Sequence, residues 1–318
     1  MDLNRESLVF DQTEFDEDMR LDKFLALEYP DYSRSQLQAL VKKGEVTVNG
    51  EVLKNNYILK DEDEIIINFP EPVESHIEKE NIPLDIVYED SDIIVVNKPS
   101  GMVTHPAVGN RSGTLVNALL YHCTDLSGIN GELRAGIVHR LDKDTSGLIV
   151  ACKNDFAHKA LSEQFANKEV NKIYYAICYG VIPNNQLRIN APIGRNPQLR
   201  QQMQVIENGK DAVTNVKVLD RFRDFTLIEC KLETGRTHQI RVHLAYIGYP
   251  ILGDPVYGPK KVIGTHGQFL HAKKLGFYHP RTKEYMEFDS PLPDYFQAMV
   301  DELGGHMLDN MTDPNLDK

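Results

Sequence analysis

The chain has 318 residues, of which 41% are hydrophobic, and a formal net charge of −12. These values indicate a soluble globular protein and exclude a disordered chain, a collagen and a coiled coil. No apolar run approaches the roughly 18 residues that cross a bilayer, and the N-terminus lacks the basic start of a signal peptide. The four cysteines are far apart, without a Cys-x-x-Cys pair. We therefore expect a cytoplasmic protein without disulfides, a cysteine zinc site or a membrane partner.

The acidic charge is concentrated at the two ends of the chain. Residues 1–18 carry −6 and residues 301–318 carry −4, so the body between them is nearly neutral. We predict that both ends are acidic tails, and the first shows no helical or strand period. The net charge therefore does not exclude a nucleic-acid partner, because local patches matter more than sums for such binding.

A small unit is predicted over residues 19–72, beginning with two helices. Apolar spacing predicts a first helix over Arg20–Tyr29. Ser33 and Gln36 have capping-box spacing for a second helix, and Gly44 suits its C-terminal cap.

Short strands follow these helices. Val46 and Val48 alternate with polar residues, and Asn49-Gly50 is a strong two-residue hairpin signal. We predict a return strand that begins at Val52 and a further short strand at Ile65–Ile67.

The second helix carries Arg34, Lys42 and Lys43, with no acid between Ser33 and Gly44. The charges fit either an ordinary solvated face or a helix that contacts phosphates. Charge alone leaves both interpretations open.

A larger domain is predicted over residues 82–300, after a linker over residues 73–81. Helical patterns occur at Thr114–His122 and Asp155–Lys168. The β-rich runs are Ile86–Tyr88, Ile93–Val96, Ile137–His139, Leu148–Cys152, Ile173–Cys178 and Thr226–Cys230. The fold class is therefore α+β: a large, mainly antiparallel sheet with flanking helices, plus a small N-terminal α/β domain.

The richest segment for chemistry runs from residue 136 to residue 150, where two predicted apolar strands flank a polar loop. A loop held by rigid strands is a common place for catalytic groups. Asp144 and Ser146 fit a simple polar turn. Arg140 and Asp142 fit less well, because charges beside buried strands need compensation.

A second segment, from residue 232 to residue 244, predicts a helix capped by Thr237. Arg236, His238 and Arg241 then cluster at its N-terminus, which is a good place for an anion. The alternative is that the arginines are surface residues and that His243 is a core histidine.

Five segments occur in the order typical of one enzyme family. They are Lys98-Pro99-Ser100-Gly101 with His105-Pro106, His139-Arg140-Leu141-Asp142 with Thr145-Ser146-Gly147, Lys172-Ile173-Tyr174-Tyr175-Ala176, Thr234 to His243, and Gln268-Phe269-Leu270-His271-Ala272. Together they resemble the motifs of RluA-type pseudouridine synthases. The N-terminal unit resembles the RNA-binding domain first named for a small-subunit ribosomal protein. This pairing is similar to the RluD branch, whose members modify large-subunit ribosomal RNA.

The resemblance implies a mechanism in which a flipped uridine detaches from its sugar, rotates and reattaches through carbon 5. Asp142 is then the essential carboxylate, acting either on the anomeric carbon or on the 2′ proton. Arg241 is its expected cationic partner; Arg236 is the second choice and is expected nearer the RNA backbone. Tyr174 would stack on the base and is a candidate to take the carbon 5 proton. Arg140 would fill the space left in the RNA or hold the flipped state.

RNA binding is further expected from His238, and from Arg34, Lys42 and Lys43 in the small domain. We expect no cofactor and no metal. A zinc site built from His139, His238 and Asp142 is an alternative that lacks the usual ligand spacing.

Other functions are open alternatives at this point. The same chemistry on transfer RNA, a non-catalytic ribosome-assembly factor and a metal-dependent hydrolase would each use some of these residues. Our prediction is a pseudouridine synthase that acts as a monomer on ribosomal RNA, free or within a pre-ribosomal particle.

Overall fold

The computed structural model describes residues 5–15, 18–29, 34–69, 77–107, 109–129, 131, 134–199 and 202–304, with the backbone alone at residues 5, 14 and 34–36. The chain divides into two units, Met1–Ser75 and His76–Lys318.

The N-terminal unit contains two helices and a three-stranded sheet. In chain order its elements are β1 (Arg5–Val9), a 3-10 turn (Gln12–Glu14), α1 (Leu21–Glu28), α2 (Arg34–Lys43), β2 (Val46–Val48) and β3 (Glu64–Asn68). The strands lie in the order β1-β3-β2 and are antiparallel. Leu21 and Leu25 of α1 and Leu37 of α2 are buried in the same core as Ile65 and Ile67. The helical and strand periods therefore predicted the core faces correctly.

The prediction of a featureless tail over residues 1–18 is wrong for residues 5–10. Residues 5–9 form β1, which pairs in full register with β3, and Phe10 is completely buried. The strand lies at the sheet edge, and its sequence Arg-Glu-Ser-Leu-Val carries no regular alternation of apolar and polar residues that would have predicted it.

The turn at Asn49-Gly50 forms as predicted, with φ values of 53° and 82°. The return strand at Val52 does not form, because β2 pairs with β3 instead and Val48 makes only an isolated bridge with Glu51. Ser33 of the predicted capping box lies outside the described residues.

The larger unit consists of a nine-stranded sheet covered by helices. Its elements are β4 (Ile86–Glu89), β5 (Ile93–Lys98), α3 (Leu115–His122), β6 (Ser146–Cys152), α4 (Asp155–Ala166), β7 (Asn171–Tyr179), β8 (Gln186–Asn190), β9 (Ile193–Arg195), β10 (Met203–Val205), β11 (Val213–Arg221), β12 (Phe225–Leu232), α5 (Gln239–Tyr246), β13 (Leu270–Tyr278), β14 (Tyr285–Asp289) and α6 (Asp294–Glu302). The sheet order is β4-β5-β6-β13-β7-β12-β11-β8, with β14 beside β13. Its one parallel pair is β13 with β6, so the predicted α+β, mainly antiparallel class is confirmed.

Both faces of this sheet are buried. Ile94 and Val96 of β5 point into a core with α3 and α5, whereas Ile93 and Val95 point into a core with α4. A third cluster places α6 on Ile177 and Leu227. This double burial explains why β6 is apolar without alternation.

The predicted strand at Ile137–His139 is wrong. Ile137 makes only an isolated bridge with Ala151 and donates its backbone N–H to Arg134 in a turn. Gly136 precedes it at a φ of 71°, a left-handed conformation that lies outside the range of a β-strand. The loop that carries Asp142 is therefore anchored by a strand on one side only, at β6.

Candidate active site

The loop that contains Asp142 is fixed by hydrogen bonds to its backbone carbonyls. Thr104 Oγ1 donates to the carbonyl of Leu141 at 2.8 Å, and the N–H of Thr145 donates to the carbonyl of Asp142 at 3.1 Å. Lys98 Nζ donates to the carbonyl of Lys143 at 3.0 Å. These bonds hold the carboxylate in place without using it.

Lys98 is almost completely buried at the end of β5. Its ammonium also donates to the carbonyls of Pro99 at 2.9 Å and Met102 at 2.8 Å. Burial lowers the pKa of Lys98 to about 7, although the negative charges of Asp144 and Asp142 act to raise it. Three carbonyls accept hydrogen bonds from its three N–H groups. Lys98 therefore connects the loop after β5 to the loop that contains Asp142.

The helix that carries Arg241 begins one residue later than predicted. His238, not Thr237, is the N-cap of α5, at a φ of 56° and without a side-chain cap bond. The segment is held instead by Gln239, whose Oε1 accepts from Arg236 N at 2.9 Å and from Thr234 Oγ1 at 2.7 Å. A left-handed histidine is uncommon, and such strain is concentrated at functional sites.

Arg241 lies between two carboxylates. Its Nη1 donates to Asp142 Oδ2 at 3.0 Å, while Nε and Nη2 donate to Asp254 at 2.7 and 2.9 Å. Burial alone would lower the pKa of Arg241, but the hydrogen bonds and charges of Asp254 and Asp142 hold it above its ordinary value. The guanidinium therefore stays charged and compensates Asp142.

His238 is the other polar neighbour of Asp142. Its Nε2 lies 3.9 Å from Asp142 Oδ1, and its Nδ1 lies 2.8 Å from the hydroxyl of Tyr257. Burial lowers the pKa of His238, although the charge of Asp142 acts in the opposite direction. At neutral pH the imidazole is therefore uncharged.

A cavity of about 450 Å³ opens beside these groups. Asp142, Tyr174 and His238 line it, together with the cationic side chains Arg134, Arg140, Lys172 and Arg236. Burial, and then the charge of Asp142, raises the pKa of Tyr174, so its phenol is protonated at neutral pH. The cavity joins a carboxylate, an aromatic ring and an excess of positive charge, which suits a base attached to a phosphate chain.

The structure thus places Asp142, Tyr174, Arg241 and His238 together, with Arg140 exposed at the rim. Arg236 Nε donates to the carbonyl of Asp211 at 2.9 Å and does not pair with Asp142.

The basic residues predicted in the small domain belong to the other unit. Lys42 and Lys43 are exposed at the end of α2. The side chain of Arg34 lies outside the described residues.

The simpler interpretation holds for His243 but not for Ser146. His243 is a core histidine, with Nδ1 at 2.9 Å from Thr214 Oγ1 and Nε2 at 2.9 Å from the carbonyl of Ala191. Ser146 was predicted in a polar turn, but it is the first residue of β6 and is buried beside His271, with Oγ 2.9 Å from Nδ1.

The zinc alternative is not supported. His139 Nε2 accepts a hydrogen bond from Val150 N at 3.0 Å, and its ring stacks on Phe165. Groups that could hold a metal among the described residues are Glu89-His122-Cys123 and Asp90-Asp92-His279, and neither includes Asp142.

Two residues of the site were missed by the sequence reasoning, namely Asp254 and Tyr257. They occur in Gly253-Asp254-Pro255-Val256-Tyr257-Gly258, directly after the buried Ile251 and Leu252. An acid and an aromatic residue among turn formers at the end of an apolar run were the available signal.

Comparison with known proteins defines the class. Residues 92–246 match the family model described as RNA pseudouridylate synthase, and residues 19–65 match that of the S4 domain. A Bacillus subtilis protein named "Uncharacterized RNA pseudouridine synthase YlyB" is 55% identical over 284 residues, covering 89% of this chain and 94% of that protein. The chain therefore belongs to the RNA pseudouridine synthase family, and the resemblance seen in its motifs is confirmed.

Two further relatives agree with this assignment. The "Ribosomal large subunit pseudouridine synthase D" of Pseudomonas aeruginosa is 45% identical over 290 residues, covering 87% of this chain and 89% of that protein. The solved structure of human RNA pseudouridylate synthase domain containing 1 has a TM-score of 0.54 and 27% identity, and covers 71% of this chain and 97% of that chain. Within the described residues, none of the helices is long and apolar enough to cross a membrane.

Proposed function

We propose that the protein isomerises specific uridines of large-subunit ribosomal RNA to pseudouridines, with Asp142 as the catalytic carboxylate. The observation that carries this proposal is the pairing of Asp142 with the buried Arg241 in a cavity that also contains Tyr174. The name of the Pseudomonas relative supports the choice of ribosomal RNA.

The reaction needs no net exchange with a second substrate. The bond between N1 and the anomeric carbon breaks, the base rotates, and a bond from carbon 5 replaces it. Carbon 5 loses a proton and N1 gains one. Asp142 starts the reaction as an anion, by attack on the anomeric carbon or by removal of the 2′ proton, and the charged Arg241 stabilises that anion.

The cations around the cavity fit the substrate. Arg140 and Arg236 lie on the same rim as Asp142 and would contact the RNA around the flipped nucleotide. Lys42 and Lys43 would add phosphate contacts from the S4 domain, and Arg34 belongs to the same proposal. The ring of Tyr174 would stack on the base.

We propose a small RNA-binding domain up to residue 72, a linker over 73–81, a catalytic domain over 82–300 and an acidic tail over 301–318. A monomer that acts in the cytoplasm on free RNA or on a pre-ribosomal particle fits best, and the four buried, unpaired cysteines support a reducing compartment.

The decisive experiment is tritium release from ribosomal RNA labelled at carbon 5 of its uridines. Wild-type protein should release tritium without added metal, and Asp142→Ala should release none while still binding RNA. Asp224→Asn is the control, because Asp224 is an exposed acid of the same unit that does not line the cavity, and it should leave release unchanged. No release by the wild type from free or particle-bound RNA, with binding intact, would favour the assembly factor or a transfer-RNA substrate.

A further inference from the structure

The loop over residues 254–257, here called the positioning loop, contacts both polar neighbours of Asp142. Asp254 is completely buried, and its carboxylate accepts four hydrogen bonds. Two come from Arg241 and two from the backbone N–H groups of Val256 at 2.8 Å and Tyr257 at 3.0 Å. Burial raises the pKa of Asp254, but the hydrogen bonds and charge of Arg241 outweigh burial and keep it below its ordinary value. Asp254 is therefore a fixed anion.

This arrangement controls how Arg241 meets Asp142. The fork formed by Nε and Nη2 is occupied by Asp254, so only Nη1 is directed at Asp142. A free guanidinium would take a carboxylate with two parallel bonds. Here Asp142 accepts a single hydrogen bond from Arg241 on Oδ2, and its Oδ1 accepts none from that arginine.

Tyr257 acts on both neighbours of Asp142. Its ring lies against the guanidinium of Arg241, with 5.1 Å between the guanidinium carbon and the ring centroid. Its hydroxyl accepts from Met203 N at 2.9 Å and lies 2.8 Å from His238 Nδ1. We infer that the phenol donates to Nδ1, so that the neutral His238 carries its proton on Nε2, the atom that faces Asp142 Oδ1 at 3.9 Å.

We propose that Asp254 and Tyr257 are positioning residues for the isomerisation, Asp254 through Arg241 and Tyr257 through His238. This inference rests on the proposed function. Neither residue lines the cavity beside Asp142, so each acts through a neighbour and not on the RNA. Their loss should lower the maximal rate without weakening substrate binding.

A double-mutant cycle tests the role of Asp254. Tritium release is measured in the full-length protein under single-turnover conditions at saturating RNA, together with the RNA concentration for half-maximal rate. Asp254→Asn should lower the maximal rate by about 100-fold, the size expected for a misplaced catalytic group. In the Arg241→Lys background the same substitution should cost less than about 3-fold, because coupled residues are not additive.

The outcome that overturns the role of Asp254 is an equal loss in both backgrounds, or a change confined to the half-maximal RNA concentration. A purely structural residue would give such a result. Asp254→Glu serves as the conservative variant and should recover part of the rate.

Tyr257 provides an independent test of the proposal if the Asp254 variants do not fold. Tyr257→Phe keeps the ring against Arg241 and removes the hydroxyl, and should lower the maximal rate by about 10-fold. It should cost nothing further in the His238→Ala background. Tyr246→Phe, on an exposed residue of α5, is the control. A wild-type rate for Tyr257→Phe would overturn the positioning role of Tyr257.

The result for the wild type separates the two proposals. Wild-type protein that releases no tritium from any RNA overturns the proposed function itself. Wild-type release with Asp254→Asn and Tyr257→Phe at full rate overturns only the positioning role.

Discussion

Gly147 and Ala272 approach so closely that a side chain at residue 147 has no space. A Cβ built on Gly147 would lie 2.3 Å from the carbonyl oxygen of Ala272, and the φ of Gly147 is 109°. The two residues face each other in the parallel pair of β6 and β13. This contact lies five residues after Asp142 and sets where the loop that contains Asp142 enters the sheet.

Gly147→Ala should therefore damage both stability and activity. The added methyl group must separate β6 from β13, and the backbone conformation is strained for alanine, so we expect a loss of about 3 kcal/mol or more in the free energy of unfolding. Urea unfolding measures the loss, and tritium release should fall with it. Gly128→Ala is the control, because no atom lies within 4 Å of its built Cβ. Equal stability of the two variants would contradict the argument.

Tyr174 and Tyr175 are neighbours on β7 whose side chains lie in different cores, so they form a matched pair. Tyr174→Phe keeps the ring but removes the hydroxyl. The phenol is protonated at neutral pH, so it can take the carbon 5 proton only as it releases its own proton to solvent, and that role predicts tritium release about 100-fold slower in Tyr174→Phe. RNA affinity should stay unchanged in Tyr174→Phe and fall in Tyr174→Leu, which loses stacking. Tyr175→Phe should behave as wild type. Full release by Tyr174→Phe would assign the proton to another group.

The sequence located the residues of the candidate site better than it located the residues that contact them. Local patterns and the family resemblance located Asp142, Tyr174 and Arg241, because each lies in a segment with its own recognisable spacing. Asp254 could not be assigned to Arg241 in this way, since only the tertiary fold brings that turn against the helix.

The errors in secondary structure have a similar cause. A short run such as Ile137–His139 has the same composition whether it lies in a strand or in a loop that packs on a core. Strand β1 carries no alternation, and only its partner β3, more than 50 residues later, makes it a strand. Long-range pairing decided both cases.

Lys42 and Lys43 should contribute to RNA affinity through charge alone. Each cation that neutralises a phosphate adds to the salt dependence, so Lys42→Ala and Lys43→Ala should each reduce the slope of log K against log salt by about 1. The maximal rate at saturating RNA should not change, because neither residue belongs to the larger unit, which contains Asp142. Lys60→Ala, also exposed in the N-terminal unit, is the control. An unchanged slope in both variants would show that α2 does not contact phosphates and that its lysines are simply solvated.

His139 should make the stability of the protein depend on pH. Burial lowers its pKa to about 3, and Val150 N donates to its Nε2, a bond that requires the neutral ring. Below pH 6.5 the unfolded chain binds a proton at this residue that the folded chain does not, so stability is lost as the pH falls from 6.5 toward 3. His139→Gln retains an acceptor for Val150 and does not titrate. The difference in unfolding free energy between wild type and variant should therefore shift against the wild type by about 2 kcal/mol between pH 7 and pH 5. Urea unfolding at the two pH values measures it, and because every other histidine is common to both proteins, parallel pH curves would show that His139 does not stay neutral in the fold.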